Sequence, residues 1–173
     1  MTAKVPALQH IDMNRVAVRY CHTRNNKHTG VYATMTPLRF QNGERIDIRR
    51  GRRIMLPRYL ASSGQDALYL LSVYLPRFYA KDFRDRLNTL THELWHISPR
   101  FNGDIRRFPG RCFIHGKSQK DYDAVAEQLV MQWLATNPDP NLYAFLQCSL
   151  QELWTRYCIV GRVFKNPKII TLP

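Results

Sequence analysis

The chain lacks any run of about 18 consecutive apolar residues, so no membrane-spanning helix is expected. Its start, MTAKVPALQHIDMNRV, lacks the apolar stretch of a secretory signal. Cysteine is scarce. Cys21, Cys112, Cys148 and Cys158 are the four, and none pairs with another in a CxxC spacing. A cytoplasmic protein with reduced thiols is the expectation, held together by packing or by a metal rather than by disulfides. Clusters of glycine and proline are missing as well. Eight Gly and ten Pro are scattered along 173 residues, with no linker between them and no fixed-period repeat, which points to one domain over residues 1–173. Acid is also in short supply. Thirteen Asp and Glu face 26 Lys and Arg, a formal net charge of +13. Such a field attracts polyanions such as nucleic acid, acidic peptide or anionic lipid, and equally it serves simple solubility.

What is present divides into a β-rich first part and a helical remainder. Asn14 to Tyr20 alternates polar and apolar residues, as a half-buried strand does. Val31 to Phe40 is rich in β-branched and aromatic residues, with Pro37 pushing it toward a sheet edge or bulge. Asn42-Gly43 signals a turn, Arg45 to Arg49 alternates again, and Arg50-Gly51-Arg52 turns the chain into Arg53 to Pro57. Leu68 to Leu75 is the most apolar strand, closed by Pro76. From Lys81 to Ile97 the apolar spacing becomes helical, and Pro99 ends it. A second helix starts at the capping signal Ser118-Gln119-Lys120-Asp121 and carries the stripe Tyr122, Val125, Leu129, Trp133, Leu134. Asp139-Pro140 opens a third, with Leu142, Phe145, Leu146, Leu153, Trp154 and Tyr157, and the tail from Cys158 to Pro173 reads as extended. Trp95, Trp133 and Trp154 are expected to pack. Strands followed by helices give an α+β domain, with a mainly antiparallel sheet against the first long helix.

That helix carries His92-Glu93-Leu94-Trp95-His96. At about 100° per residue, Phe83, Leu87, Leu90 and Leu94 share one side, while His92 and His96 lie together on the other. Two imidazoles one turn apart can grip a single Zn²⁺, with Glu93 at their flank as general base. The plain alternative is a structural pair of histidines. A catalytic zinc needs a third protein ligand and an open position. His115, followed by a glycine that allows a sharp turn, is preferred; Asp104, Asp121, Asp123 and Glu127 are oxygen-ligand alternatives, and Cys112 is a sulfur one. Around these stand Arg100, Arg106, Arg107, Arg111 and Lys117. Arg106 and Arg107 are candidates for binding acidic groups or an oxyanion, or for pairing with Asp104. Tyr122 is either a phenolic donor or a core aromatic. A second basic cluster, Arg49, Arg50, Arg52, Arg53 and Arg58, reads as a solvated face or a nucleic-acid contact.

The segments Leu75 to Phe78, Thr91 to Pro99 and Phe101 to Phe108, with Gly110-Arg111, His115-Gly116 and Tyr122-Asp123, resemble the phage-type metallopeptidases, a family of small prokaryotic and viral proteins. HExxH followed at a distance by His-Gly is also similar to the SprT-like proteases, whose later histidine completes the zinc site. The resemblance implies a minimal zincin-like domain with Zn²⁺ as cofactor and His92, His96 and His115 as ligands. It implies a peptide-bond hydrolase in which Glu93 takes a proton from water and returns it to the leaving amine. The long arginine-rich connection and the lack of an evident separate DNA-binding domain depart from the SprT-like pattern. Two other classes stay open: a zinc hydrolase acting on nucleic acid or another non-peptide bond, and a non-enzymatic zinc- or nucleic-acid-binding module.

Overall fold

The structure is a computed structural model that describes residues 1–23, 30–110, 113–116, 118–156 and 167–173. It is an α+β fold with two small sheets and four α-helices among the described residues. The first sheet is built around β5 (Tyr69–Leu75), with β1 (Val16–His22) on one side and β2 (Ala33–Pro37) on the other. The central place of β5 follows from its composition: an almost uninterrupted apolar run suits a strand buried on both faces, and all but Tyr74 are buried. Pro37, which has no N–H to donate, ends β2 on the sheet edge, where proline is tolerated.

This sheet is mixed. β2 runs antiparallel to β5, with Met35 opposite Leu71, but β1 runs parallel to it, with Val16 opposite Tyr69. The expectation of a mainly antiparallel sheet against the helix is corrected here. A parallel pairing needs a long crossover, and the segment between β1 and β5, which contains β2 and the second sheet's hairpin, supplies it. That second sheet is antiparallel, pairing β3 (Ile46–Arg49) with β4 (Arg52–Met55) and β4 with the short β6 (Ile170–Thr171). Its hairpin turns through Arg50 and Gly51, both at positive φ (51° and 72°), the backbone of the two-residue turns that match strand twist.

Helix α1 (Phe83–Trp95) begins at Asp82, whose side chain accepts from the Asp85 N–H. Leu87 and Leu94 are buried, and Phe83 and Leu90 pack partly buried against the core. Helix α2 (Gln119–Ala135) begins at Ser118, whose hydroxyl accepts from the Asp121 N–H at 3.0 Å, and it buries Tyr122, Ala126, Leu129, Val130 and Trp133. One buried cluster reaches from Val5 through β5, α1 and α2 to Leu153.

The third helix is not continuous. A 3-10 turn (Pro140–Leu142) leads into α3 (Ala144–Gln147), the chain extends at Cys148, and α4 (Leu150–Arg156) follows. The cause is a second start signal, Ser149-x-x-Glu152. The Ser149 N–H donates to Glu152 Oε2 at 2.8 Å, and the Glu152 N–H donates to Ser149 Oγ at 3.2 Å. The carbonyls exposed at the break are met by buried Arg86, whose Nη1 donates to the oxygens of Leu146 (2.6 Å) and Cys148 (2.7 Å). Leu142 and Trp154 therefore do not reach the core. Trp154, expected to pack, is about half exposed and stacks on His22 at 6.4 Å. Tyr157, Cys158 and the tail as far as Asn166 lie outside the described residues.

Candidate metal centre

Helix α1 presents His92 and His96 one turn apart, and α2 approaches them with the consecutive residues Tyr122 and Asp123. Asp123 Oδ1 lies 2.8 Å from His92 Nδ1. A carboxylate can only accept there, so Nδ1 carries the His92 proton and Nε2 is left bare. Tyr122 Oη lies 3.0 Å from His96 Nδ1. With both Nδ1 atoms engaged from α2, the two Nε2 atoms face each other at 3.1 Å. Two nitrogens on one tetrahedral zinc, each about 2.0–2.1 Å from it, stand about 3.3 Å apart. The spacing in this protein is close to that edge.

The loop after α1 delivers the third imidazole. It is fixed by Tyr69, whose hydroxyl accepts from the Gly103 N–H at 3.0 Å and donates to the Asp104 carbonyl at 2.8 Å. Gly103 sits at φ 88°, where an added Cβ would fall 2.5 Å from the Arg39 side chain. The Arg106 N–H then donates to the His96 carbonyl at 2.6 Å, tying the loop to the helix end. His115 follows, and Gly116 at φ 70° turns the chain toward α2, as its place after the histidine suggested. The ligating nitrogens of His92, His96 and His115 lie within 4.8 Å of one another, a possible three-histidine metal site. Among the described residues this is the one cluster of three or more such groups.

Two further properties suit these residues to a cation. His115 Nε2 is buried with no hydrogen-bond partner, and an orphaned buried acceptor or donor costs on the order of 1–3 kcal/mol. A metal would give that nitrogen its partner. Burial also holds His92 below its ordinary pKa, and burial aided by the His92, His115 and Arg106 charges pushes His96 down to about 3. Both imidazoles are thus neutral near pH 7, the form that binds metal.

Glu93 is buried beside them, and its Oε2 accepts the Met35 N–H at 2.6 Å. The register explains that contact. Tyr32 bonds to Tyr74 of β5 and Leu38 to Leu68 just before it, so the alternate residue Met35 turns its N–H outward, off the edge of β2 that no described strand covers. Burial raises Glu93 to about 7, the Met35 bond acting against it. A carboxyl poised there can exchange a proton near neutrality, whatever it serves. A cleft of about 900 Å³ opens at this point, lined in part by Val31 and Ala33 of the β2 side, Asn88, His92 and Glu93 of α1, and Asp123 and Glu127 of α2.

No family model, curated protein or solved structure matches the chain.

The other candidates fall away from the cluster. Asp104 is buried and bidentate to Arg107 at 2.9 and 3.0 Å, and it also accepts the Asn42 N–H, so it fixes the loop. Arg107 is thus paired with Asp104, the structural alternative of its two expected roles. Arg106 donates to the Trp95 carbonyl at 2.8 Å and lies over the Trp95 ring at 3.5 Å. Asp121 sits in the first turn of α2, where its N–H donates to the Ser118 cap, and Glu127 is exposed on the cleft wall. Asp123 stands behind His92 rather than in the cluster. Tyr122 is buried as a core residue would be, and its hydroxyl is engaged with His96 Nδ1. Arg111, Cys112 and Lys117 lie outside the described residues. The sequence offered no signal for Met35, whose relevant group is a backbone amide.

Proposed function

We propose that this chain is a zinc-dependent peptide-bond hydrolase, a minimal zincin-like metallopeptidase with His92, His96 and His115 as zinc ligands and Glu93 as general base. The observation that carries the proposal is the convergence of three imidazoles, one with an orphaned buried nitrogen, next to a buried carboxyl at the mouth of a cleft. A structural zinc is normally closed by four protein ligands, whereas three leave a place for water and substrate. Three are present among the described residues. Zinc held there would supply a Lewis acid and an acidified water.

The protein's own groups do the rest. Asp123 and Tyr122 orient the ligand rings, the outer arrangement that commonly fixes metal-binding histidines. The edge of β2 that no described strand covers carries the outward N–H and C=O groups of Ala33 and the C=O of Met35, so an extended peptide can add to the sheet and lie along the cleft. Glu93, near 7, accepts a proton from the attacking water and returns it to the leaving amine. A substrate lying on β2 competes for the Met35 amide, which frees the Glu93 carboxylate as the cleft fills. The surplus of arginine favours a second reading, hydrolysis of nucleic acid at the same centre. Zinc-loaded protein incubated with casein and a peptide library, beside RNA and DNA, separates the two. Cleavage of peptide alone is expected, and cleavage of nucleic acid alone overturns the proposal.

A further inference from the structure

Beside the histidine cluster, on the side of His115 and Tyr122, a second hollow of about 370 Å³ opens to solvent. Its walls include Trp95 from the end of α1, Phe108 and Pro109 from the connecting loop, and Val125 from α2. It is distinct from the cleft that holds Glu93, and the two have no lining residue in common. We infer that this hollow is a substrate subsite that takes one bulky apolar side chain, phenylalanine- or leucine-like, next to the bond being cut.

Three observations carry this inference, which rests on the peptidase proposal for the word substrate. The first is continuity. His115 and Tyr122 wall the hollow and also belong to the metal centre, with ring centroids 4.9 Å apart, and the His115 and His96 rings are 5.0 Å apart. A chain crossing the centre would pass this shared wall, and a side chain turned toward it would enter the hollow. The second is chemistry. Trp95, Phe108, Pro109 and Val125 present carbon, the Tyr122 hydroxyl is turned away to His96, and the one charged side chain among the described lining residues, Asp121, is exposed to solvent on α2. An ionic side chain would find no buried ionic partner among the described lining residues, and its desolvation would oppose entry. The third is size. An apolar cavity of about 150 Å³ is enough to hold benzene, so the observed volume accepts a phenyl ring or a branched aliphatic side chain with room for the adjoining backbone. The wall residues also contact one another. Phe108 sits edge-on to Tyr122 at 5.9 Å and in contact with the space above Gly116, and Arg106 lies across Trp95.

Val125 is the residue through which the subsite can be altered without touching the histidines or their partners. Filling the hollow with Val125→Phe should exclude large side chains, and Val125→Ala should enlarge it. Because the natural substrate is unidentified, the first measurement needs no turnover. The Val125 methyl resonances of the full chain are followed by NMR during titration with N-acetyl-phenylalaninamide, N-acetyl-leucinamide and N-acetyl-alaninamide, with adenosine as a nucleobase probe. Saturable shifts are expected with the phenylalanine and leucine compounds at affinities at least about tenfold above the alanine compound, the discrimination an apolar pocket gives for added methylenes. For the variants, which lack those methyls, the Trp95 indole resonance replaces them, with loss of binding in Val125→Phe. The second measurement is the residue preference flanking the cut in a peptide library, which should move toward small residues in Val125→Phe and toward larger ones in Val125→Ala. Cutting without apolar preference, or a preference unmoved by both variants, overturns the subsite while leaving the peptidase intact. Probe binding blocked by Val125→Phe in a protein that cuts no peptide supports the hollow's chemistry and counts against the peptidase. Saturable binding of adenosine alone overturns the choice of occupant.

Discussion

His92 and His96 owe their orientation to two neighbouring side chains on α2, and this is where single substitutions should read most clearly. Replacing Asp123 with Ala or Tyr122 with Phe removes a partner of a histidine ring and leaves the ring itself. Zinc affinity should fall about 10–100-fold in each, the usual cost of losing such a partner. Competition with a chromogenic chelator measures it, and unchanged affinity in both variants would mean that the α2 contacts do not organise the site. His115→Ala should lose zinc far more completely, whereas Asp104→Ala should keep it and instead lower the melting temperature, because Asp104 anchors Arg107 and the Asn42 amide. Zinc lost in Asp104→Ala at a temperature where the fold persists would redraw the ligand set.

Glu93 gives a pH test at the same scale. Its carboxyl is raised from 4.5 to about 7 by burial, so between those values the fold retains a proton that the unfolded chain has released. Stability contributed at Glu93 therefore declines as pH rises through that window and stays low above it. In metal-free protein, Glu93→Gln remains neutral and still accepts the Met35 N–H. It should gain on the native chain between about pH 4.5 and 7, by something on the order of 3 kcal/mol at the top. His96 has the opposite sign, its depressed pKa removing stability as pH falls below 6.5. It is common to both proteins and cancels from the difference. A urea-midpoint difference that does not change with pH would contradict the burial argument.

Among elements, the α3–α4 break shows why patterns of apolar spacing run past real boundaries. Leu142, Phe145, Leu146, Leu153 and Trp154 fit one helix on paper, and the Ser149-x-x-Glu152 box that restarts it was visible but masked by that spacing. The role of Arg86 was not visible, because two of its partners are carbonyls about 60 residues further on. Arg86→Met should cost roughly 3 kcal/mol or more in urea unfolding, since three carbonyls, including Tyr79 at 2.6 Å, lose a charged donor. A cost below about 1 kcal/mol would show that water satisfies them. The strands were legible for the opposite reason: β5 announces itself by composition, and the Arg50-Gly51 turn by residue type. Parallel pairing of β1 was not legible, since alternation sets which face is buried and says nothing about direction. The helix bearing His92, Glu93 and His96 was legible through its spacing, and His115 through its glycine. The Met35 amide and the turn of Tyr122 toward His96 emerge only from how β2 and α2 meet α1.

At the scale of the whole molecule, the excess of basic groups is partly absorbed by sharing. Asp66 pairs with Arg58 and Arg45 and stands 3.9 Å from Arg39, and Arg58 with its fellow arginines holds its carboxyl below the usual range. The hairpin arginines Arg49, Arg50, Arg52 and Arg53 are exposed. If they meet polyanions, DNA binding should weaken steeply with salt. An absence of binding at low ionic strength would leave solubility as their role. No helix among the described residues is long and apolar enough to cross a membrane. Zinc should also stabilise the whole fold, by about 2.7 kcal/mol at a free concentration 100 times its Kd. The stabilisation should be reversed by chelator and be absent from His92→Ala.

The central claim is that three histidines hold a zinc on which Glu93 works without being a ligand. Glu93→Gln separates the two roles in one protein. Zinc content and turnover of a peptide cut by the native chain are measured side by side on the folded variant. Zinc should stay near one per chain while turnover falls about 10²–10⁴-fold, the usual contribution of a general base. Turnover equal to that of the native chain, or zinc lost with the carboxylate, would contradict it.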